Sequence, residues 1–161
     1  MSAVIDNNQD GFHPMRMSDV EEVMEIELSL YDFPWTKSIL SDCIQVGYSC
    51  WVYKQNYEIQ AYCVLSSGAS EAHILTLCVR KEYQGQGLGQ LLLQHLIDVA
   101  KDHRAEVLLL EVRPSNQNAV HLYHKFGFNE VGTRPGYYPA KEGREDALIM
   151  ALDLMLYDVT Q

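Results

Sequence analysis

The chain has 161 residues, of which 47% are hydrophobic, enough to build a sizeable globular core. Its net charge of −10 argues against nonspecific nucleic-acid binding, which relies on basic surface, and suits a basic partner. No apolar run approaches the roughly 18 residues of a membrane span, and the polar start with Asp6 and Asp10 lacks signal-peptide character, so a cytoplasmic protein is expected.

Met1 to Gly11 reads as a mobile tail, and residues 12–155 as one domain. Phe12 to Met17 is a candidate first strand. Ser18-Asp19 then offers an N-cap, with Glu21 and Glu22 in the first turn. Val20, Val23, Met24, Ile26, Glu27 and Leu30 recur at helical spacing. Phe33-Pro34-Trp35 interrupts that helix, and Thr36 can cap a second one through Cys43. Gly47 to Tyr53 and Glu58 to Ser66 read as antiparallel strands around a Lys54–Tyr57 turn, with a loop over Ser67 to Ser70.

Ile74 to Val79 is a short apolar run that reads as a buried strand, and Leu88 to His103 as an amphipathic helix. Gly85, Gly87 and Gly89 lie between them. Glycines at a helix start leave backbone N–H groups uncovered where the dipole is positive, which favours a bound phosphate. A flexible turn explains the spacing equally well. The dinucleotide fingerprint fails at Gln90, and no Gly-Lys-Ser/Thr follows.

Glu106 to Val112 is a second buried strand, expected parallel to the Ile74 strand because a helix connects them. Arg113-Pro114-Ser115-Asn116 ends that strand and caps a helix from Gln117 to Phe126, which Gly127 stops. Phe128 to Thr133 and Asp146 to Leu154 form a last strand pair, joined by a long loop from Arg134 to Glu145. The expected architecture is mixed α/β (α+β), a central and mostly antiparallel sheet with a splayed parallel strand pair and helices on both faces.

Two polar residues stand out. Glu111 ends an apolar strand, where open α/β sheets commonly bind ligands; pairing with Arg113 or solvation would account for it as well. Tyr123 lies on a helix face and also fits an amphipathic core position. Cys43, Cys50, Cys63 and Cys78 show no metal or disulfide spacing, and His121 and His124 alone do not make a metal site, so none is expected.

The stretch Gln84-Gly85-Gln86-Gly87-Leu88-Gly89 resembles the Q/R-x-x-G-x-G/A motif of the GNAT N-acetyltransferases. FPW at 33–35, YQGQGLG at 83–89, LEVRPSNQNAVHLYHKFGF at 110–128 and YYPAKEGREDALIMAL at 137–152 are similar to the bacterial ribosomal-protein-alanine branch of that family, from about Met15 to Leu152. The resemblance implies the GNAT fold and acetyl-CoA as co-substrate. It implies Glu111 as general base and Tyr123 as general acid. It assigns acetyl-CoA contacts to Leu77, Cys78 and Val79, to Gly85, Gln86, Gly87, Leu88, Gly89 and Gln90, and to Asn116. Trp35, Arg134, Tyr137 and Tyr138 are expected to meet the peptide.

The implied partner is the basic N-terminus of a ribosomal small-subunit protein, acetylated on an N-terminal alanine by a monomeric enzyme. A relaxed lysine acetyltransferase and a noncatalytic acetyl-CoA-binding module remain alternatives, as does a two-step route through Cys78.

Overall fold

The computed structural model describes residues 9–160, with side chains through Tyr157. The described residues form seven strands and five α-helices in the order β1, α1, α2, β2, β3, β4, α3, β5, α4, β6, β7, α5. The strands are β1 (Gly11–Pro14), β2 (Ser49–Gln55), β3 (Glu58–Gly68), β4 (Glu71–Val79), β5 (Val107–Val112), β6 (Asn129–Pro139) and β7 (Arg144–Asp153). They hydrogen-bond as one sheet in the order β1-β2-β3-β4-β5-β7-β6. The pair β4–β5 is parallel, and β1–β2, β5–β7 and β6–β7 are antiparallel.

The chain divides into two compact units. The first comprises Met1–Val64 and Thr76–Leu92. Here α1 (Val20–Leu30) buries Val20, Val23 and Ile26, the apolar stripe that its helical spacing prescribes. Glu27 lies in the same stripe, only 4% exposed. Its carboxylate is satisfied by the Tyr62 hydroxyl, which donates to Oε1 at 2.8 Å, and by the Trp35 backbone N–H. The expected cap at Asp19 does not form. Asp19 instead accepts the Arg16 N–H at 2.8 Å and pairs with Lys54 at 3.4 Å, after a 3-10 turn over Met17–Asp19. Helix α2 (Lys37–Gln45) does carry its cap: Thr36 Oγ1 accepts the Ile39 N–H at 3.2 Å. Strand β1 is shorter than expected and begins at Gly11, inside the stretch read as tail; residues 1–8 of that tail lie outside the described residues. The β2–β3 turn is Asn56-Tyr57, with φ of 51° and 66°, the paired left-handed conformation of a type I′ hairpin. Asp10 Oδ1 accepts the Asn56 N–H at 2.8 Å.

The second unit comprises Leu65–Leu75 and Leu93–Gln161. Its core includes Leu93, Leu96, Ile97, Leu108, Leu110, Phe128, Ala147 and Met150, all within 1% of complete burial. Each of these side chains other than Ala147 contributes about 1.5–3 kcal/mol through burial. The loop expected over Ser67 to Ser70 is a two-residue turn, Ala69-Ser70, again with both φ positive. That turn lets β4 start at Glu71 rather than Ile74. The parallel register runs from Glu71↔Val107 to Ile74↔Leu110, while β4 continues to Val79 and β5 to Val112.

Two expectations are corrected here. The stretch expected as a loop from Arg134 to Glu145 is mostly strand: β6 continues to Pro139 and β7 begins at Arg144. Strand β6 is the edge of the sheet, where Pro135 and Pro139 are tolerated because no partner needs their missing N–H. A register shift between Arg134 and Tyr138 absorbs the extra residues. Side chains of β7 collect the freed backbone groups: Asp146 accepts the Gly136 N–H at 2.8 Å, and Arg144 Nε donates to the Gly136 carbonyl at 2.6 Å. The second correction is an additional helix, α5 (Leu154–Thr160), beyond the last expected strand. Tyr157 anchors it by donating to Gln94 Oε1 at 3.0 Å.

Candidate active site

In the first unit, the glycine loop follows β4 through a short 3-10 turn, Lys81–Tyr83, and leads into α3 (Leu88–Asp102). Gly85 has φ +77° and Gly87 φ +85°, and a Cβ at either would meet nothing within 4 Å. Glycine is needed here for backbone conformation rather than for room. The first intrahelical bond runs from the Leu91 N–H to the Gly87 carbonyl at 3.1 Å. The N–H groups of Leu88, Gly89 and Gln90 thus precede the first intrahelical donor, the Leu91 N–H, at the positive end of a 15-residue helix. Open space beside backbone donors fits a pyrophosphate and needs no lysine.

Side chains brace this loop. Gln84 Nε2 donates to the Val79 carbonyl at 3.0 Å, and the Tyr83 hydroxyl donates to Glu58. Arg80 donates its Nε to the Ile59 carbonyl at 3.0 Å and lies 3.7 Å from Glu22. Arg80 is therefore a structural anchor, a role the sequence reading did not assign to it.

Leu77, Cys78 and Val79 end β4. The Cys78 side chain is 2% exposed; its Sγ lies 2.9 Å from the Tyr31 hydroxyl and 3.2 Å from Thr76 Oγ1. Burial pushes its thiol up, away from the thiolate that a nucleophile requires. A two-step route through Cys78 is disfavoured on that ground. Trp35 is half-buried and fixed through its backbone N–H to Glu27.

In the second unit, Glu111 ends β5 with its side chain 11% exposed. Its partner is not Arg113. Glu111 Oε2 contacts His73 Nε2 at 2.5 Å, and Oε1 contacts Arg134 Nε at 3.2 Å. Arg113 instead pairs with Glu145 at 3.2 Å and lies 4.3 Å from the centre of the Tyr138 ring. Glu145 also accepts the Ser115 hydroxyl at 2.9 Å, and Ser115 followed by Arg113 holds this carboxyl below its ordinary range. Tyr137 and Tyr138 meet edge to face at 4.8 Å. Burial, then the charges nearby, push the Tyr138 phenol up to about 12, so it stays neutral at physiological pH.

Tyr123, on α4 (Gln117–Lys125), is buried with its ring 5.6 Å from Phe128. Asn116 Oδ1 accepts the Ala119 N–H at 3.3 Å, capping α4, and its amide N–H groups remain donors. His124 pairs with Glu130 at 3.2 Å, and among the described residues no group of three or more His, Cys, Asp or Glu is placed to hold a metal.

The second unit thus brings Glu111 and Arg134 together and adds His73, which sequence reading passed over. The signal for it was slight: strand alternation puts His73 on one face with Leu75, but only the β4–β5 register reveals Glu111 as its neighbour.

Comparison with known proteins agrees with the motifs. The Acetyltransferase (GNAT) family matches residues 19–128. The chain is 37% identical over 142 residues to the [ribosomal protein bS18]-alanine N-acetyltransferase of Escherichia coli K12, covering 88% of this chain and 96% of that protein. It is 37% identical over 138 residues to a putative enzyme of the same description from Bacillus subtilis, covering 84% and 90%. The crystal structure of the ribosomal-protein-S18-alanine N-acetyltransferase from Escherichia coli superposes with a TM-score of 0.85 at 36% identity, over 91% of this chain and 94% of that one. Family membership makes the chain an acetyltransferase with acetyl-CoA as co-substrate. The chain belongs to the GNAT family of acetyltransferases.

Proposed function

We propose that this acetyltransferase modifies the α-amine of an N-terminal alanine on a ribosomal small-subunit protein, with Glu111 as general base and Tyr123 as general acid. The observation that carries the reading is identity of 37% across nearly the full length of a relative that bears that activity in its name. The net charge of −10 supports it, because an acidic protein attracts the basic tail of a ribosomal protein. That substrate is made in the cytoplasm, and we infer that the enzyme works there.

The chemistry assigns each group a task. An ammonium has no lone pair, so it cannot attack a thioester carbonyl. An α-amine has a pKa of about 8, against about 10.4 for lysine, so an α-amine is the easier nucleophile to generate. Glu111 is a covered carboxylate fixed by two partners, suited to receive that proton directly or through water. The neutral amine attacks, and the tetrahedral intermediate expels the coenzyme as a thiol. A thiolate of pKa about 8.5 leaves more readily if it is protonated on departure, and Tyr123 is the donor assigned. The glycine loop of the first unit holds the pyrophosphate. Within the second unit, Tyr137 and Tyr138 supply aromatic surface for the peptide terminus.

Steady-state kinetics test the two assignments. Glu111→Gln should lower kcat most at low pH, where the amine is protonated, and Tyr123→Phe should lower kcat with acetyl-CoA affinity kept. Each loss should fall in the range of about 10²–10⁴-fold. Near wild-type rates for both variants across pH 6–9 would remove the pair from the mechanism.

A further inference from the structure

The reading of Glu111 as base leaves its closest side-chain partner without a role. His73 stands on β4 with its Nε2 at 2.5 Å from Glu111 Oε2, and its side chain is 31% exposed where that of Glu111 is 11%. A separation this short between nitrogen and a carboxylate oxygen requires a proton between them. Nε2 is therefore committed to Glu111, and Nδ1 is the ring nitrogen left to exchange protons.

We propose that His73 completes the base: Glu111 and His73 act as a carboxylate–imidazole dyad in which the proton taken from the attacking amine comes to rest on Nδ1 of His73. This rests on the reading of Glu111 as the carboxylate of the base and deepens it: Glu111 orients the ring and stabilises the imidazolium, and His73 holds the proton.

The balance is simple. An N–H bond of the ammonium breaks, its electron pair stays on nitrogen for the attack, and an Nδ1–H bond forms, directly or through water. The imidazolium keeps its Nε2–H bond to the anionic carboxylate. Nδ1 then returns the proton to solvent, which reaches a ring one-third exposed. No oxidant or further reactant is needed.

Two physical arguments favour the dyad over Glu111 alone. Imidazole is a stronger base than a carboxylate by about two pKa units in model compounds, so it holds an α-amine's proton at a smaller energetic cost. A carboxylate with little solvent exposure also needs an exit for the proton, and His73 is the more exposed member of the pair. The geometry is that of an orienting carboxylate behind an imidazole, as in other acyl-transfer sites.

Other charged and titratable groups flank the pair. The charged group on the other side of Glu111 is Arg134 of β6, 3.2 Å from Oε1. The Tyr138 phenol, also on β6, feels the Glu111 charge but stays neutral. On β4 itself, Glu71 is the acidic residue two positions earlier on the same face, and the residue opposite His73 on β5 is the apolar Leu109.

The test uses the full chain, acetyl-CoA and a peptide beginning with alanine. His73→Gln keeps a donor near Glu111 but cannot titrate; His73→Gly removes the ring. Both should lower kcat about 10- to 100-fold at pH 7, at the low end of general-base effects, with KM for acetyl-CoA unchanged. The loss should shrink as pH rises through the amine's pKa. Added imidazole should restore the His73→Gly variant and leave His73→Gln unaffected.

A merely structural role predicts a fully active His73→Gln with the wild-type pH profile, and that outcome overturns the dyad. If Glu111→Gln is inactive while the His73 variants match wild type, the dyad fails and the base assignment survives. If Glu111→Gln is fully active, the base assignment fails first. Nitrogen-15 NMR of the resting protein gives a readout independent of substrate. His73 should show the Nε2–H form with a strongly hydrogen-bonded proton that is lost in Glu111→Gln, and a signal unchanged by that substitution would contradict the dyad.

Discussion

Arg134 Nε lies 3.2 Å from Glu111 Oε1, so the carboxylate is held from the side opposite His73 by a residue of the edge strand. Arg134 is also 5.7 Å from the centre of the Tyr137 ring, and its side chain is 54% exposed. An ion pair with one exposed partner adds little to stability, on the order of 0–1 kcal/mol. Its value is positional: it fixes which way the carboxylate faces. Arg134→Ala should therefore leave the melting temperature within a few degrees of wild type while lowering kcat/KM for the peptide by about 10- to 100-fold. Equal activity in a folded Arg134→Ala protein would show that Glu111 is oriented without it.

Gly87 predicts a separation of the opposite kind, between strain and space. At φ +85° an alanine is strained by roughly 1–2 kcal/mol, yet its Cβ would meet no protein atom. Gly87→Ala should fold with a lowered melting temperature and bind acetyl-CoA more weakly, since relaxing the backbone moves the N–H donors at the start of α3. Gly87→Val should bind more weakly still. Calorimetry showing unchanged acetyl-CoA affinity in a folded variant would take the loop out of the binding site.

Glu27 gives a pH signature. Burial raises its carboxyl above the ordinary range, more than the Tyr62 and Trp35 hydrogen bonds lower it. A carboxyl raised in the folded state contributes stability that is fully present below its unfolded pKa and is lost as pH rises through the folded one. Glutamine at this position does not titrate. The melting temperature of wild type minus that of Glu27→Gln should therefore decrease from pH 4 to pH 8. A difference that stays constant with pH would mean that Glu27 does not titrate differently on folding.

The strand–loop–helix unit was legible because apolar periodicity and glycine spacing act locally. Thr36 and Asn116 were legible as caps for the same reason: a cap needs only its own next three residues. Where tertiary context decides, local reading failed. Pro135, Gly136, Pro139 and Gly143 read as loop residues, but the edge position of β6 and the side chains of Asp146 and Arg144 make strand out of most of that stretch. Asn56-Tyr57 and Ala69-Ser70 form left-handed turns without glycine, so the second of these read as an open loop.

Glu111 was singled out correctly as a polar residue at a strand end, but its sequence neighbour Arg113 was the wrong partner. Arg113 lies just past the end of β5 and is taken by Glu145 from β7. The contacts that matter, His73 and Arg134, lie 38 and 23 residues away, distances over which only the sheet register carries information.

The central claim, acetylation of an N-terminal α-amine, is tested most directly by mass spectrometry of peptides incubated with the enzyme and acetyl-CoA. Three peptides suffice: one beginning Ala-Arg and containing lysines, the same peptide with its terminus blocked, and the same peptide with its lysines replaced. The account predicts one acetyl group on the alanine α-amine of the first and third peptides and none on the second. Acetylation of the blocked peptide at wild-type rate, together with its loss when the lysines are replaced, would contradict the account and mark the enzyme as a lysine acetyltransferase.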